Sequence, residues 1–305
     1  VLISSHAFFS TLAAPFDASS WTQASDSTFG LSDVNSVVAA DEENYVAVGD
    51  SGKIAFSQNK GFSWNQGISP FDQSNIYAVA YGDGKYVAGG STGKIAESPD
   101  GNSWALRSSG FGASPVLGIT YFNSLNLWIA VGASGKLATS TNGSSWLLRN
   151  SSFGATFINT VYSFNSLAIA AGFDGKLATS TDGVSWTQRT SSFIFDAIFG
   201  ITYSNSAQEY VAVGDVGKIA TSTNGTTWSQ VFPSTSFNNS RINTISANSS
   251  SYVAGGSLGK IATSSTGVNW IQRNSSFAGL TINGIYSTET SAVAVGNSGK
   301  IAYSG

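Results

Sequence analysis

The chain of 305 residues contains no cysteine, no methionine and one histidine, His6. Without cysteine there are no disulfides, thiolate metal sites or thiol nucleophiles. A single histidine leaves no histidine-based triad and no multi-histidine metal centre. Charge is scarce as well. Lys and Arg number 14 and Asp and Glu 17, so 10% of the chain is charged, net −3, against roughly 25% in an ordinary soluble domain. No basic excess or Lys/Arg cluster is present to meet nucleic acid. No apolar run approaches the roughly 18 residues that span a bilayer. The acids are scattered, so neither a metal nor a cofactor is expected, and Asp41-Glu42-Glu43 reads as a solvated turn. With no methionine anywhere, position 1 reads as the product of processing or of a cut from a longer chain.

What is abundant is aromatic and small. There are 19 Phe, 11 Tyr, 8 Trp and 34 Gly, and 41% of the chain is hydrophobic, which supports a real core rather than disorder. A repeat organises it. Gly-Lys recurs at Lys53, Lys94, Lys136, Lys176, Lys218, Lys260 and Lys300, in steps of 41, 42, 40, 42, 42 and 40 residues. Trp64, Trp104, Trp146, Trp186, Trp228 and Trp270 follow the first six at 10 or 11 residues. Between Lys and Trp lies a turn such as Ser180-Thr-Asp-Gly-Val-Ser-Trp186.

Each unit reads as four short strands. Runs such as Gly200–Ser204, Tyr210–Gly214, Lys218–Ser222 and Ser185–Arg189 are β-branched or aromatic and bounded by Gly, Asn, Asp and Ser, which is strand chemistry. No helical period is present. Four strands per repeat of this length is the arithmetic of a β-propeller blade. The second strand, Val-Ala-Val-Gly, lacks polar alternation, as expected of a sheet covered on both faces.

The ends complete the count. After Lys300 only Ile-Ala-Tyr-Ser-Gly305 follows, without a Trp, while Trp21 stands unpaired near the start. Joining Gly305 to Asp17 restores the turn and puts Trp21 ten residues after Lys300. The expectation is an all-β, closed seven-bladed propeller over 17–305, its last blade completed by the N-terminal strand. Residues 1–16 are expected to form a strap or connector.

The turn before each Trp resembles the Asp-box, or BNR repeat, Ser-x-Asp-x-Gly-x-Thr-Trp. Ser57-Gln-Asn-Lys-Gly-Phe-Ser-Trp64 has its length, with Asn59 in place of Asp. The later copies are one residue shorter and hold Asp100, Asn142, Asp182, Asn224 and Thr266 at the polar position. The chain as a whole resembles the repeat domains of phage tail and other virion proteins and, more distantly, photosystem II assembly factors. The first resemblance implies a virion or extracellular recognition module, the second an intracellular, cytoplasmic assembly factor. Sialidases share the box, so a glycoside hydrolase is a third class. That resemblance implies three converging Arg and a Tyr nucleophile. Arg107, Arg149, Arg189 and Arg273, however, all sit three residues after a Trp, one equivalent site in four blades.

The expected function is therefore a non-catalytic scaffold. Trp21 and its six counterparts read as structural edge plugs. The Gly-x-x-Gly-Lys hairpins read as tight turns, because a phosphate loop needs a longer spacing and a helix after it. Their lysines are expected to be solvated or paired to a neighbouring blade. Phe71, Phe111, Phe153, Phe193 and Phe277 each fall seven residues after a Trp, which favours plugs between blades. Specificity is expected on the face that carries the variable hairpin tips and the loops at 190–199 and 231–241. Phe173, Phe195, Phe232 and Arg241 are the candidate binding residues there. The expected partner is a glycan or a protein, with a place in a larger assembly as a further expectation, in keeping with aromatic stacking and uncharged hydrogen bonding.

Overall fold

A computed structural model describes residues 16, 18–231 and 236–305. The expected strap, apart from Phe16, lies outside those residues, and so does Phe232. Seven four-stranded antiparallel sheets make a ring. Their inner strands are Val34–Ala39, Ile76–Gly82, Val116–Phe122, Ile158–Phe164, Ile198–Ser204, Ile242–Ala247 and Ile282–Ser287, which define blades 1 to 7. Blade 7 borrows its outer strand, Thr22–Gln23, from the start of the chain. Thr22 lies opposite Tyr303 and Gln23 opposite Ala302. The all-β ring of seven blades, closed by the N-terminal strand, is the expected one.

Local chemistry explains the blade. Second strands such as Tyr45–Gly49 and Leu167–Gly172 are buried along nearly their whole length. Each is covered on both faces, so small and β-branched residues suit it better than polar alternation. Seven apolar clusters hold the ring, and they run between blades. Ile129, Val131 and Leu137 of blade 3 meet Ile158, Val161 and Ala170 of blade 4 around Phe153 and Trp186. Phe29 and Phe237 join the five phenylalanines recognised by spacing, and all seven are buried plugs.

In six blades the lysine of the second hairpin is a tie to the backbone. Lys53, Lys94, Lys136, Lys176, Lys218 and Lys260 donate through Nζ to the carbonyls of Phe29, Phe71, Phe111, Phe153, Phe193 and Phe237 at 2.5–3.2 Å. Lys300 donates to Gln23 Oε1. The expected solvated or cross-blade lysine is corrected in these six: the carbonyl belongs to the connection entering the lysine's own blade. This contact also places the second hairpins and the inter-blade connections on one face.

The opposite face carries the turns before Trp. Each Trp indole N–H donates to the carbonyl three residues earlier, from Gly61 in blade 1 to Ala18 in blade 7. Ala18 has φ 49°, so it occupies the left-handed position that Gly holds elsewhere. Asp182 Oδ1 accepts from the backbone N–H groups of Ser185 at 2.7 Å and Val184 at 2.8 Å. Those donors, Ser185 first, hold its carboxyl down at about 2. Its contribution to stability is thus complete above the ordinary carboxylate range and lost as pH falls toward about 2. Asn142 and Asn224 make the same contacts uncharged. Asp182→Asn is therefore expected to leave unfolding at pH 7 unchanged within about 0.5 kcal/mol. Urea titrations between pH 7 and 2 should show a smaller acid loss than in the wild type.

Two acids on this face are inter-blade contacts rather than solvated or repeated features. Glu42, expected in a solvated turn, reaches from blade 1 to blade 7. It accepts from Thr288 Oγ1 at 2.6 Å and Thr290 Oγ1 at 2.5 Å, and from the N–H groups of Glu289 and Thr290. Burial alone would raise its pKa, but these four donors outweigh it and lower the carboxyl below its ordinary value. Glu97 of blade 2 accepts from Arg107 at 2.8 Å and from Ser144 of blade 3 at 2.6 Å. Arg149, Arg189 and Arg273 bond Thr139, Thr179 and Thr263 within their own outer sheets. Four of the five arginines are thus outer-strand residues.

Candidate functional site

Every inner strand carries one register shift, at the second residue of the strand. The shifts fall between Val34 and Ser36, Ile76 and Ala78, Val116 and Gly118, Ile158 and Thr160, Ile198 and Gly200, Ile242 and Thr244, and Ile282 and Gly284. A β-bulge leaves one residue unpaired and re-aims its side chain. The seven bulged residues are Asn35, Tyr77, Leu117, Asn159, Phe199, Asn243 and Asn283. All seven line one cavity of about 560 Å³ on the axis, together with Arg241, Ser257 and Asn297. Because these residues lie at the starts of the inner strands, the cavity lies toward the face of the second hairpins.

Four of the seven are carboxamides that bind the ring to itself. Asn35 Nδ2 donates to Ile76 O of blade 2, Asn159 to Ile198 O of blade 5, Asn243 to Ile282 O of blade 7 and Asn283 to Val34 O of blade 1, all at 2.9–3.1 Å. The first residue of the hairpin tip supports two of them and the bulged Tyr77. Asp50 accepts from Asn35, Asn297 from Asn283, and Ser91 donates to the Tyr77 hydroxyl. Blades 2, 3 and 5 break the pattern with Tyr77, Leu117 and Phe199.

Around Phe199 the departures gather. Phe173, at the tip of blade 4, meets Phe157 edge-on at 5.8 Å and Phe199 at 6.2 Å. The Arg241 guanidinium lies over the Phe199 ring, 4.5 Å from its centroid. Its Nε donates to Asp215 Oδ1 at 2.7 Å. Stacking and the ion pair hold the planar group, which lines the cavity and keeps further N–H donors able to serve a carbonyl or carboxylate. Phe173 is 42% exposed, so it is not an inter-blade plug. Of the residues expected from sequence, the structure brings Phe173 and Arg241 together. Phe195 stands apart from their ring contacts and is 85% exposed. Phe157, Phe199 and the asparagine ring were not recognised from sequence. The asparagines recur 17 or 18 residues before each blade's Gly-Lys lysine, which was the available signal.

Among the described residues no cluster of three or more His, Cys, Asp or Glu could hold a metal ion. No helix among them is long and apolar enough to cross a membrane.

No protein-family model matches the chain, and no curated protein matches its sequence. Solved structures do match in shape. YCF48 from Cyanidioschyzon merolae is 16% identical, with a TM-score of 0.72 over 93% of this chain and 98% of that one. A second structure, YCF48 bound to D1 peptide, is 14% identical, TM-score 0.72, over 95% and 96%. Virginiamycin B lyase from Staphylococcus aureus is 12% identical, TM-score 0.80, over 93% and 98%. Enzymes and binding proteins thus share the shape, and at such identities the likeness speaks for the fold alone. The chain is a seven-bladed β-propeller.

Proposed function

We propose that this propeller is a non-catalytic recognition scaffold whose axial mouth takes a segment of a partner protein. The bulge ring carries the reading. Carboxamides close it in four blades, while blades 2, 3 and 5 put Tyr77, Leu117 and Phe199 into the same cavity. Ring closure does not require those aromatic and apolar side chains, and they supply contact surface for a ligand beside a fixed guanidinium. The YCF48 structure with a bound D1 peptide supports a protein partner over a glycan. The reading suits a virion or extracellular module and an intracellular assembly factor alike, since each would use a rigid ring to present variable residues.

The chemistry also favours binding over hydrolysis. Burial pushes Tyr162, Tyr210 and Tyr286 up to about 12, which disfavours a phenolate nucleophile at those three, and the cavity that Tyr77 lines holds one arginine, Arg241, where a sialidase-like site needs three. Four arginines lie on separate outer strands, so they cannot grip one carboxylate together.

Screening the protein against a displayed random-peptide library and a glycan array tests the reading. Arg241→Ala removes an exposed ion pair that contributes at most about 1 kcal/mol, so the fold should hold. Peptide binding should fall about tenfold, equivalent to about 1.4 kcal/mol. Saturable glycan binding without peptide binding, or peptide protection confined to the face of the Trp turns, overturns it.

A further inference from the structure

On the face of the Trp turns, the cleft between blades 1 and 2 is built differently from its counterparts. Four second strands carry a tyrosine at the end nearest this face: Tyr45, Tyr86, Tyr210 and Tyr252. In blades 1 and 6 the preceding blade takes up its hydroxyl. Tyr45 shares a hydrogen bond with Ser291 Oγ of blade 7 at 3.0 Å, and Tyr252 donates to Glu209 O of blade 5 at 2.8 Å. For Tyr86 of blade 2 the equivalent residue is Asn44, whose carboxamide is turned to Asp41 instead. Tyr86 is 4% exposed, yet its hydroxyl has no hydrogen-bond partner among the described residues. A buried hydroxyl left unpaired is costly.

A cleft of about 230 Å³ opens at this point, and Asp41, Asn44, Tyr81, Tyr86 and Asp100 line it. The Tyr86 oxygen reaches it, whereas Trp128 Nε1, at the same place in blade 3, is unpaired but sealed in. Both carboxylates keep room for a ligand. Asp100 Oδ1 accepts from Ser98 Oγ and from the N–H groups of Asn102 and Ser103, while its Oδ2 has no partner among the described residues. Asp41 Oδ2 accepts only from Asn44 Nδ2, at 2.8 Å. Neither acid forms an ion pair among the described residues, and Lys60 nearby is paired with Glu43 at 3.7 Å. Burial raises the Tyr86 pKa, and Tyr81, Asp41 and Asp100 raise it further, so the group stays a neutral hydroxyl beside two charges. The Tyr210 hydroxyl is unpaired as well, but there the hairpin of blade 4 is Asn165-Ser166 and the turn holds Asn224, all uncharged.

We propose that the cleft between blades 1 and 2 binds the cationic side chain, ammonium or guanidinium, of a basic segment of a partner protein. Its N–H donors meet the two carboxylates and the Tyr86 oxygen. Tyr81, whose ring lies 4.8 Å from that of Tyr86, adds the attraction of an aromatic ring for a cation. Glu42 toward blade 7 and Asp83 at the first hairpin of blade 2 carry negative charge beyond the cleft. That spread suits a chain bearing several cations better than one small cation. The site lies on the face opposite the mouth and does not depend on the mouth reading.

The test titrates the full chain with a fluorescent peptide of Gly-Ser-Lys repeats, the same peptide with norleucine for lysine, spermidine, and calcium chloride. The lysine peptide should bind, less well as salt rises, and the norleucine peptide should not. Asp41→Asn/Asp100→Asn should weaken the lysine peptide about tenfold, and the fold should hold because Asn142 and Asn224 serve the same turn elsewhere. Tyr86→Phe should weaken it about fivefold without lowering the thermal midpoint, since no internal bond is lost. Tyr252→Phe should do the reverse, lowering the midpoint and keeping the affinity. Binding of the norleucine peptide, or unchanged affinity in either cleft variant, overturns the proposal. So does tighter binding of spermidine than of the peptide, or displacement by calcium beyond that of sodium chloride at equal ionic strength. Loss of the lysine peptide in Arg241→Ala assigns it to the mouth, and then this proposal falls while the mouth reading stands.

Discussion

Removing residues 1–23 is expected to cost the protein most of its stability and leave it prone to self-association. The cut deletes Trp21 and both ladder pairs of Thr22 and Gln23 with Tyr303 and Ala302. Trp21 is buried in the cluster formed with Ile261, Phe277, Ile282 and Ala302. Loss of a buried Trp alone costs about 3–5 kcal/mol, a large share of a total of about 5–15 kcal/mol. The edge of Ile301–Ser304 is then open, and an unpaired edge templates pairing with another chain. A control truncated to begin at Phe16 separates this strand from the residues before it. Urea unfolding and size-exclusion chromatography measure the two effects. A monomer with the midpoint of the control would contradict closure by this strand.

Phe153→Ala should destabilise nearly as strongly, by about 3–5 kcal/mol, because a fully buried Phe leaves a cavity between two rigid sheets. The blades on either side are backbone-bonded arrays and cannot collapse into the space. Phe153 also offers its carbonyl to Lys176, which donates at 3.0 Å, so relaxation of the connection would strain the hairpin of blade 4. Phe195→Ala is the internal comparison: similar volume is removed from an exposed side chain, and the midpoint should barely move. Equal losses in both variants would sink the plug assignment.

Phe173 and Arg241 were accessible to sequence reasoning because each departs from a repeat whose frame is visible. Phe173 sits at a hairpin tip that holds small or polar residues in most other blades. Arg241 is the one arginine not three residues after a Trp. Phe199 was hidden by its surroundings. Ile-Phe-Gly-Ile-Thr-Tyr reads as an ordinary inner strand, and alternation gives no warning that Phe199 is bulged toward the axis. Asn35, Asn159, Asn243 and Asn283 read as strand-start polar residues for the same reason. Glu42 was misread because Asp41-Glu42-Glu43 looks solvated until blade 7 is placed beside it.

The repeat by itself determined the number of blades, the strand content of each, five of the seven plugging phenylalanines and the completion of blade 7 by the segment after Trp21. These are periodic properties. A side chain that must be buried at one place in every blade recurs in the sequence at the spacing of the blades. The mouth, its carboxamide ring, the Arg241–Phe199–Phe173 contacts and the Glu42 brace were decided only by the tertiary structure. A bulge shifts the register by one residue without altering composition or period, and closing the ring brings residues from opposite ends of the chain into contact.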